Sequence, residues 1–578
     1  MADQQTPSAD SAAPAAGTDG TAPSKKALKK AEAKAKKDAE KARRAAEHQA
    51  HQAAAKAATG TADDLAKDNY GMATAAAQSG IQGDRLSLCS MSDTHLGKTV
   101  KLRAWIQNSR MQGAKMAFIE LREQRNWAIQ AVIAASPEGT PVSRQMVRWI
   151  GGLNLESFVV VQGRIERPIE PVKSVRVSNY ELHVTKLFLI SPGPEVLGMG
   201  LAVANKPVTN FDDEDGASLP PTGVEEACKS IEAVGLDNVP SASMATHLSN
   251  PAMHKRAPVQ QAIADVRMTT RKLFAAYLDL KDFNQFEPPC LIGAASEGGS
   301  NVFALPYFEK SAFLAQSPQF YKQIEIAGGR KRVYCIGPVF RAENSNTPRH
   351  MTEFTGLDLE MEIEETYHEV RDMLEGLLLY MFRGLAERCA DQIALIRSVY
   401  PSDDFLVPEP GKEVRLTFAE GQALLRAEGP EEFGTVRDDQ DMSTAQEKAL
   451  GALIRKKYHS DFYLLDKFPE GARPFYALED PDDAGVTNAF DFFMRGQEIL
   501  SGGQRIHIPE QLEARIRKKG IDPASPGIKE YVDVFRSAGV PPHGGGGIGL
   551  DRVVAWYLNL PSVHLTSYYP RTPKRLMP

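Results

Sequence analysis

Apolar and acidic side chains alternate without a break around residue 360. The pattern predicts a strand over Met351–Ile363, because successive side chains of a strand point to opposite faces of the sheet. The alternating residues are Leu357, Asp358, Leu359, Glu360, Met361, Glu362 and Ile363. A strand that turns three carboxylates to one face lines either water or a functional site.

A second predicted strand, Lys331–Glu343, precedes the first and is joined to it by the polar loop Asn344–Arg349. The resulting hairpin carries the cations Arg341, Arg349 and His350 near its tip and the aromatic Phe354 on its second strand. Arginine can bind phosphate oxygens through paired hydrogen bonds, and a phenylalanine ring offers a stacking face to adenine. A lone strand arginine is usually a surface charge, but this combination favours a nucleoside triphosphate site. No GxxxxGK[ST] sequence occurs, so the predicted site is not a P-loop.

Four consecutive glycines, Gly544–Gly547, stand shortly before an apolar stretch with helical character. A glycine cluster alone is weak evidence and is often a flexible turn. Here the glycines run into a helical stretch that has Arg552 near its start, which indicates a close approach of backbone to a nucleotide.

Charge is distributed unevenly along the 578 residues, whose net charge is -6. Residues 24–56 contain eleven Lys or Arg against four Asp or Glu, a local charge of +7, so the remainder carries -13. A basic arm on an acidic body favours a polyanionic partner, although a solvated charged helix explains such a run equally well. Neither a secretory signal nor a membrane-spanning apolar run is found, so we expect a cytoplasmic protein with no membrane contact.

The first half of the chain contains five predicted strands with a predicted helix, Ser143–Leu153, after the third. The strands are Val100–Arg110, Lys115–Glu123, Ala128–Ala135, Phe158–Arg167 and Tyr180–Ile190. This is the element order of an OB-fold, whose open face binds single-stranded nucleic acid, but another small barrel fits the order as well. The second half alternates helices, such as Val259–Leu280 and Thr366–Ala390, with strands and predicts one large domain.

Several segments resemble one enzyme family. FRAENSNTPRHMTEFTGLDLEME (340–362) resembles motif 2 of class II aminoacyl-tRNA synthetases, and GGGGIGLDRVV (544–554) resembles motif 3. The helix Val259–Leu280 with the following Phe286–Pro289 resembles motif 1. The segments GAASEGGSNVF (293–303), AQSPQFYKQ (315–323), EILSGGQRIH (498–507) and YPRTPKRLMP (569–578) are similar to the eukaryotic cytosolic aspartyl-tRNA synthetases of subclass b.

The resemblance implies roles for individual residues. ATP would be bound by Arg341, Glu343, His350, Met351, Phe354, Glu498 and Arg552, of which Arg341 and Arg552 would be the catalytic cations. L-aspartate would be bound by Ser296, Gln319, Lys322, Asp358, Ser501 and Arg505. Mg²⁺ would be held by Asp491 and Glu498. Within this set Lys322 and Arg505 would meet the side-chain carboxylate of the substrate, and Asp358 its ammonium group.

The resemblance also implies partners and a multidomain fold. The chain would have a disordered and Lys-rich helical extension (1–85), an OB-fold anticodon-binding β-barrel (96–191), a linker (192–255) and an α+β catalytic domain on an antiparallel sheet (256–578). The partners would be tRNA(Asp), a second copy of the chain that meets the first at Pro289, and possible further synthetases in a larger assembly. tRNA would contact Lys25, Lys26, Lys29, Lys30, Arg110, Phe118, Gln130 and Glu181.

Three alternatives to an aspartate–tRNA ligase stay open at this stage. An asparaginyl-tRNA synthetase is similar across motifs 2 and 3, but its family pattern lacks the Ser-Pro-Gln-x-x-Lys arrangement that ends here at Lys322. An inactive paralogue that binds RNA would not need the full set of catalytic residues. An ammonia-dependent asparagine synthetase shares the catalytic fold but would not need the barrel.

Overall fold

The computed structural model describes residues 64–211, 241–293, 302–345 and 347–577. The chain divides into two compact units between Leu197 and Gly198, and residues 124–126 belong to the second unit. The predicted tRNA-binding lysines of the basic arm and the predicted aspartate-binding Ser296 lie outside the described residues.

Five strands of the first unit close on themselves into a barrel. They are β3 (Thr99–Met111), β4 (Met116–Arg122), β5 (Ala128–Ala134), β6 (Phe158–Glu166) and β7 (Glu181–Ser191). The hydrogen-bonded order β3-β4-β5-β7-β6 returns to β3, which leaves no open edge in this ring. A helix, Arg144–Gly151, lies between β5 and β6 in the chain. All five predicted strands and the predicted helix are therefore confirmed, each strand boundary to within one residue.

The barrel forms because its strands alternate between core and surface. In β3 the side chains of Val100, Leu102 and Ala104 are buried, and those of the intervening residues are half-buried or exposed. The interior is filled by Ile, Val, Leu and Ala side chains from every strand and by Met146 and Ile150 of the helix. Such packing is what fills a small barrel instead of leaving a channel.

Residues 64–85 belong to this unit, so their assignment to the N-terminal extension is wrong. β1 (Tyr70–Met72) pairs in parallel with β7, and β2 (Asp84–Arg85) pairs with β3. Tyr70 packs against Trp149 with ring centroids 5.3 Å apart, and Ile81 is buried between these elements. A few apolar residues in an Ala-rich stretch thus suffice to dock it, although its composition indicates low complexity.

An eight-stranded sheet forms the centre of the second unit. Its order is β14-β15-β16-β17-β18-β13-β12-β8, and all pairs from β15 to β12 are antiparallel. The strands are β8 (Asn284–Gln285), β12 (Arg332–Phe340), β13 (Glu353–Glu362), β14 (Val414–Thr417), β15 (Phe462–Asp466), β16 (Ala489–Met494), β17 (Gln497–Gln504) and β18 (His543–Gly549). The predicted antiparallel α+β architecture is confirmed, and so is the predicted hairpin, as β12 and β13.

A smaller sheet and a set of helices complete the second unit. The small sheet has the order β10-β11-β9 and is made of β9 (Leu291–Ile292), β10 (Ala304–Tyr307) and β11 (Lys310–Leu314). With α1 (Ala75–Ser79) and α2 (Arg144–Gly151) in the first unit, the α-helices continue as α3 (Leu201–Ala204), α4 (Met244–Leu248), α5 (Pro251–Arg256), α6 (Pro258–Asp279), α7 (Gln319–Ala327), α8 (His368–Arg388), α9 (Ala390–Val399), α10 (Phe418–Glu428), α11 (Thr444–Tyr458), α12 (Pro509–Lys518), α13 (Ile528–Ser537) and α14 (Leu550–Tyr557).

Part of the predicted linker 192–255 is also structured. Residues 198–211 and 241–255 belong to the second unit, where they form the short helices α3, α4 and nearly all of α5. Buried Val208, Met244 and His254 anchor these helices, which explains why acidic, Pro-rich composition alone did not reveal them. Residues 212–240 of the linker lie outside the described residues.

Candidate active site

The floor of the candidate site is formed where β13 lies beside β18. Asp358 is the register partner of Gly547, and Glu360 is the partner of Gly545. A Cβ atom on Gly545 would lie 2.2 Å from Glu360 Oε2, and one on Gly547 would lie 2.9 Å from Asp358 Oδ2. The glycines are therefore needed because the carboxylates of β13 occupy the space that side chains would take. The four glycines lie in β18, so they are not the flexible turn that a glycine cluster often is.

Two cations neutralise the buried carboxylates of this floor. Lys322 Nζ, from α7, lies 3.1 Å from Asp358 Oδ2 and 3.3 Å from Glu360 Oε2. Arg505 donates from Nε to Glu360 Oε1 at 2.9 Å and from Nη2 to Glu360 Oε2 at 3.3 Å. All four residues are at most 6% exposed. We call Lys322, Asp358, Glu360 and Arg505 the charge cluster.

The pKa values of the two carboxyl groups move in opposite directions. Burial raises the pKa of Asp358 above its ordinary value, against the effect of Lys322. Burial acts in the same sense on Glu360, but the ion pairs with Arg505 and Lys322 outweigh it and lower the pKa of Glu360. Glu360 is thus the permanent counter-charge of the cluster, and Asp358 is the group most open to a new cationic partner.

Neutral polar side chains form a hydrogen-bonded network next to the charge cluster. The Gln323 amide donates to His543 Nε2 at 2.9 Å, and His543 Nδ1 donates to the Pro541 carbonyl at 2.8 Å. Tyr531 and Gln319 both donate to Gln323 Oε1 at 2.8 Å. Burial lowers the pKa of His543 to about 4, so this ring adds no charge at neutral pH.

A cavity of about 270 Å³ extends from the charge cluster to the tip of the β12–β13 hairpin. At the tip, the Arg341 guanidinium lies 5.6 Å from the centre of the Phe354 ring. His350 Nε2 lies 3.9 Å from Glu343 Oε2, and His350 Nδ1 lies 2.6 Å from Thr347 Oγ1. Burial, reinforced by Arg552, lowers the pKa of His350 to about 4. His350 is therefore neutral at pH 7, which corrects its description as one of the cations of the hairpin.

A second set of carboxylates lies at the opposite side of the cavity, where Glu498 is in the lining and Asp491 is next to Ser501 of the lining. Arg473 donates to Asp491 Oδ2 at 2.5 Å and to Ser501 Oγ at 2.9 Å. Burial raises the pKa of Asp491 to about 7 despite Arg473, and nearby Glu498 adds to the rise. Asp491 Oδ1 is buried and has no hydrogen-bond partner among the described residues. Arg552 donates to the Glu498 carbonyl at 3.3 Å, which fixes this arginine beside the carboxylates.

One face of the barrel carries a separate group of polar and aromatic side chains. Phe118 is the register partner of both Arg110 and Val132, and Gln130 is the partner of both Glu120 and Glu181. Residues paired in this way share a face of the sheet. The Arg110 guanidinium lies 5.2 Å from the Phe118 ring centre, and Gln130 Nε2 donates to Glu181 Oε2 at 3.3 Å. All four predicted barrel residues therefore lie together on the outside of the barrel.

The chain is similar to known proteins along most of its length. The family model described as tRNA synthetases class II (D, K and N) matches residues 243–573. The cytoplasmic aspartate–tRNA ligase of Homo sapiens is 40% identical over 520 residues, which cover 89% of this chain and 96% of that protein. This chain belongs to the aspartate–tRNA ligase family of class II tRNA synthetases.

Solved structures agree with this membership in the synthetase family. The aspartyl-tRNA synthetase of Entamoeba histolytica has a TM-score of 0.76 at 33% identity, with 90% of this chain and 98% of that chain covered. An asparaginyl-tRNA synthetase of Pyrococcus horikoshii has a TM-score of 0.68 at 26% identity, covering 86% of this chain and all of that chain. The chain is thus an aminoacyl-tRNA synthetase, and aspartyl enzymes resemble it more than this asparaginyl enzyme does. Within the described residues, no helix combines the length and the apolarity that crossing a bilayer requires.

Most of the site residues predicted for the synthetase come together. The cavity is lined by Gln319, Lys322, Arg341, Glu343, His350, Met351, Phe354, Asp358, Glu498, Ser501, Arg505 and Arg552. The predicted metal ligand Asp491 is not among these lining residues. It lies beside Ser501, its register partner on the neighbouring strand, and Arg473 donates a hydrogen bond to both side chains.

Sequence reasoning missed several residues of the synthetase site. Glu360 was noted on the acidic face of its strand but was assigned no role, and only the alternation pattern could have revealed it. Arg473 lies in an irregular segment with no motif around it, so no local signal marked it. No local motif marks Glu447 of α11 either. Burial, together with Glu498, raises the pKa of Glu447 to about 7.

Proposed function

We propose that this synthetase activates L-aspartate with ATP and transfers the aspartyl group to tRNA(Asp) in the cytoplasm. The observation that carries the proposal is the charge cluster at one end of a cavity whose other end has the cations and the aromatic ring suited to ATP. A substrate with one ammonium and two carboxylates matches a pocket that offers both buried cations and a carboxylate.

The residues of the charge cluster support separate roles in binding the ammonium group and the side-chain carboxylate of aspartate. Asp358, which lines the cavity, would accept hydrogen bonds from the substrate ammonium. Glu360 occupies Nε and Nη2 of Arg505, and Nη1 makes no hydrogen bond to the described residues, so it would be available to the side-chain carboxylate. Because Glu360 already supplies a counter-charge to both cations, discrimination against asparagine would depend on their remaining hydrogen-bond donors.

The hairpin and α14 support binding of the nucleotide between them. Phe354 would stack on adenine, Met351 and Glu343 would contact the base and the nucleotide side of the hairpin, and Arg341 would bind the α-phosphate. Arg552 and His350 would contact the terminal phosphates. The substrate α-carboxylate would then attack the α-phosphorus, pyrophosphate would leave, and the terminal ribose hydroxyl of tRNA would accept the aspartyl group. Positioning and charge neutralisation would supply most of the rate enhancement.

The carboxylates on the opposite wall fit a Mg²⁺ ion. Asp491 has a buried, unpartnered oxygen, and burial, to which nearby Glu498 adds, raises its pKa. Asp491 and Glu498 would hold Mg²⁺ by hard oxygen ligands. Such an ion, when bound, neutralises charge on the polyphosphate. Arg473 would keep Asp491 in place.

The barrel supports a role in anticodon binding as an OB-fold. Its closed order, with the helix after the third strand, is that of an OB-fold, and its outer face presents a half-buried Phe118 beside Arg110. Phe118 would stack on an anticodon base, and Gln130 and Glu181 would contact neighbouring nucleotides. The arm with Lys25, Lys26, Lys29 and Lys30 would add phosphate contacts.

Exposed Pro289 and exposed apolar side chains of the small sheet support a homodimer. The small sheet and the turn after β10 expose Leu291 (49%), Tyr307 (49%) and Phe308 (91%), and Pro289 itself is exposed. Several large apolar side chains exposed on one small sheet are typical of a surface that another chain covers. We propose that a second copy covers it, and membership in a larger synthetase assembly is compatible with the remaining surface.

Charging assays with labelled amino acids test the proposal. The protein should aminoacylate tRNA(Asp) with aspartate and should catalyse aspartate-dependent exchange between pyrophosphate and ATP. Exchange with asparagine but not with aspartate would show an asparaginyl enzyme instead. Binding of tRNA with no exchange for either amino acid would show an inactive RNA-binding protein.

A further inference from the structure

A buried arginine outside the cavity links the two sides of the nucleotide site. Arg267 lies on α6 and is 8% exposed. Its Nη2 donates to both carboxylate oxygens of Asp551, at 3.1 and 3.3 Å, and to Thr355 Oγ1 at 3.1 Å. Its Nε donates to the Thr566 carbonyl at 2.9 Å. One guanidinium thus bonds to β13, to α14 and to the segment that follows α14.

Asp551 carries this connection to the cavity. It is 2% exposed, lines the cavity and accepts a hydrogen bond from the Thr355 backbone N–H at 3.3 Å. Thr566 Oγ1 donates to the Asp551 carbonyl at 3.2 Å. Two of the three hydrogen-bond partners of Arg267 are next in sequence to a residue of the nucleotide site, since Thr355 follows Phe354 and Asp551 precedes Arg552.

We propose that Arg267 is a positioning residue for ATP: it fixes the gap between the Phe354 ring and the Arg552 guanidinium through Thr355 and Asp551. This inference rests on the proposed ATP site. Arg267 is not among the residues that line the cavity, so it acts on the site through Thr355 and Asp551. A nucleotide held between a ring on one element and a cation on another depends on that gap, whereas the aspartate pocket is built by the charge cluster on other contacts.

The geometry of the side chain matters as much as its charge. Arginine presents its donors in a rigid planar fork, and here separate nitrogens of that fork meet partners in different segments. Lysine at this position would keep the charge beside Asp551 but could not bond to Thr566 and Thr355 in the same arrangement. Glutamine would remove the charge and leave Asp551 buried without its ion pair.

The test compares Arg267→Lys and Arg267→Gln with the control Arg271→Gln, which changes an exposed arginine one turn further along α6. KM for ATP and KM for aspartate are measured by pyrophosphate exchange, together with thermal unfolding. Hydrogen bonds to charged groups are strong enough that both Arg267 variants should raise KM for ATP about tenfold or more. KM for aspartate should stay within about twofold, and the Arg271 variant should match wild type.

Equal changes in KM for ATP and KM for aspartate would overturn the proposal. An unchanged KM for ATP in Arg267→Lys, when this variant unfolds at the wild-type temperature, would also overturn it. If the Gln variant does not fold, the Lys variant decides. Equilibrium binding of ATP alone separates this outcome from failure of the proposed function. A wild-type protein that binds ATP but shows no aspartate-dependent exchange would contradict the function, while weaker ATP binding by Arg267→Lys would still support the role of Arg267.

Discussion

At the scale of single residues, Glu360 determines the electrostatics of the site. It is fully buried and contacts both cations of the charge cluster. Without it, Lys322 and Arg505 would face each other across a dry pocket with Asp358 as the remaining carboxylate. The residue therefore permits two cations to be buried side by side, which is costly unless they are paired.

We predict that Glu360→Gln destabilises the protein and abolishes detectable activation of aspartate. Removing one partner from a buried ion pair costs about 3–5 kcal/mol, because the other partner stays buried without its counter-charge. Chemical denaturation and pyrophosphate exchange measure the two effects. Glu362→Gln, two residues along the same strand and half-buried, is the matched control and should change neither. A Glu360 variant with wild-type activity would show that the cluster does not form.

A pair of buried histidines gives a prediction about acid stability. His247 Nδ1 and His254 Nδ1 lie 3.1 Å apart, and burial lowers the pKa of His247 to about 4 and that of His254 to about 3. Below the ordinary histidine pKa near 6.5, the unfolded chain binds protons that the folded chain does not. Stability should therefore fall as the pH decreases from about 6.5 toward 4. His254→Gln should lose less free energy of unfolding than wild type between pH 7 and pH 5, and equal losses would contradict this account.

At the scale of secondary-structure elements, the glycine strand β18 sets how closely backbone approaches the carboxylates of β13. The contacts differ along the strand. A Cβ on Gly545 would meet the Leu359 carbonyl at 2.1 Å, which is backbone, while the nearest atoms to a Cβ on Gly547 belong to the Asp358 side chain. A substitution at Gly545 thus affects the sheet, and one at Gly547 affects the site.

We predict that Gly547→Ala folds but activates aspartate poorly, because the methyl group displaces the Asp358 carboxylate. Gly545→Ala should instead lower the unfolding temperature. Gly337→Ala on β12 is the control, since a Cβ there would meet no atom within 4 Å. Circular dichroism melts and KM for aspartate distinguish the three variants. Normal aspartate binding by Gly547→Ala would show that Asp358 does not need its observed position.

Local patterns predicted the elements far better than their contacts. The barrel strands and the hairpin follow from side-chain alternation, which is encoded in neighbouring residues. The ion pairs of Arg505 with Glu360 and of Arg267 with Asp551 join residues 145 and 284 positions apart, and no local pattern encodes such a distance. The residues near the substrate were predicted from the resemblance to a family, whereas the ion-pair partners of Glu360, Arg473 and Arg267 became known only from the structure.

At the scale of the whole molecule, the proposed catalytic and tRNA-binding functions belong to different compact units. The second unit contains the entire candidate active site, and the first contains the candidate anticodon surface. Chemistry that needs no tRNA should therefore be insensitive to changes on the barrel. This separation makes the role of the barrel face measurable by itself.

We predict that Phe118→Ala impairs charging of tRNA(Asp) while leaving aspartate-dependent pyrophosphate exchange unchanged. Stacking of a base on an aromatic ring contributes about 1–3 kcal/mol, so kcat/KM for tRNA should fall roughly 5- to 150-fold. Phe158→Ala removes another half-buried ring, with Arg103 5.5 Å away, and serves as the control. Equal effects of the two substitutions on charging would indicate a loss of barrel stability instead.

The position of β13 between β12 and β18 has a consequence for biosynthesis. Nearly two hundred residues separate β13 from β18, so a ribosome finishes the hairpin long before it makes the strand that covers Asp358 and Glu360. During that interval β13 is an unprotected edge whose acidic row has not yet met Arg505. A chain truncated before residue 543 would therefore not be a less active enzyme. Its sheet would keep an unpaired edge at β13, and the chain would be prone to aggregation and degradation.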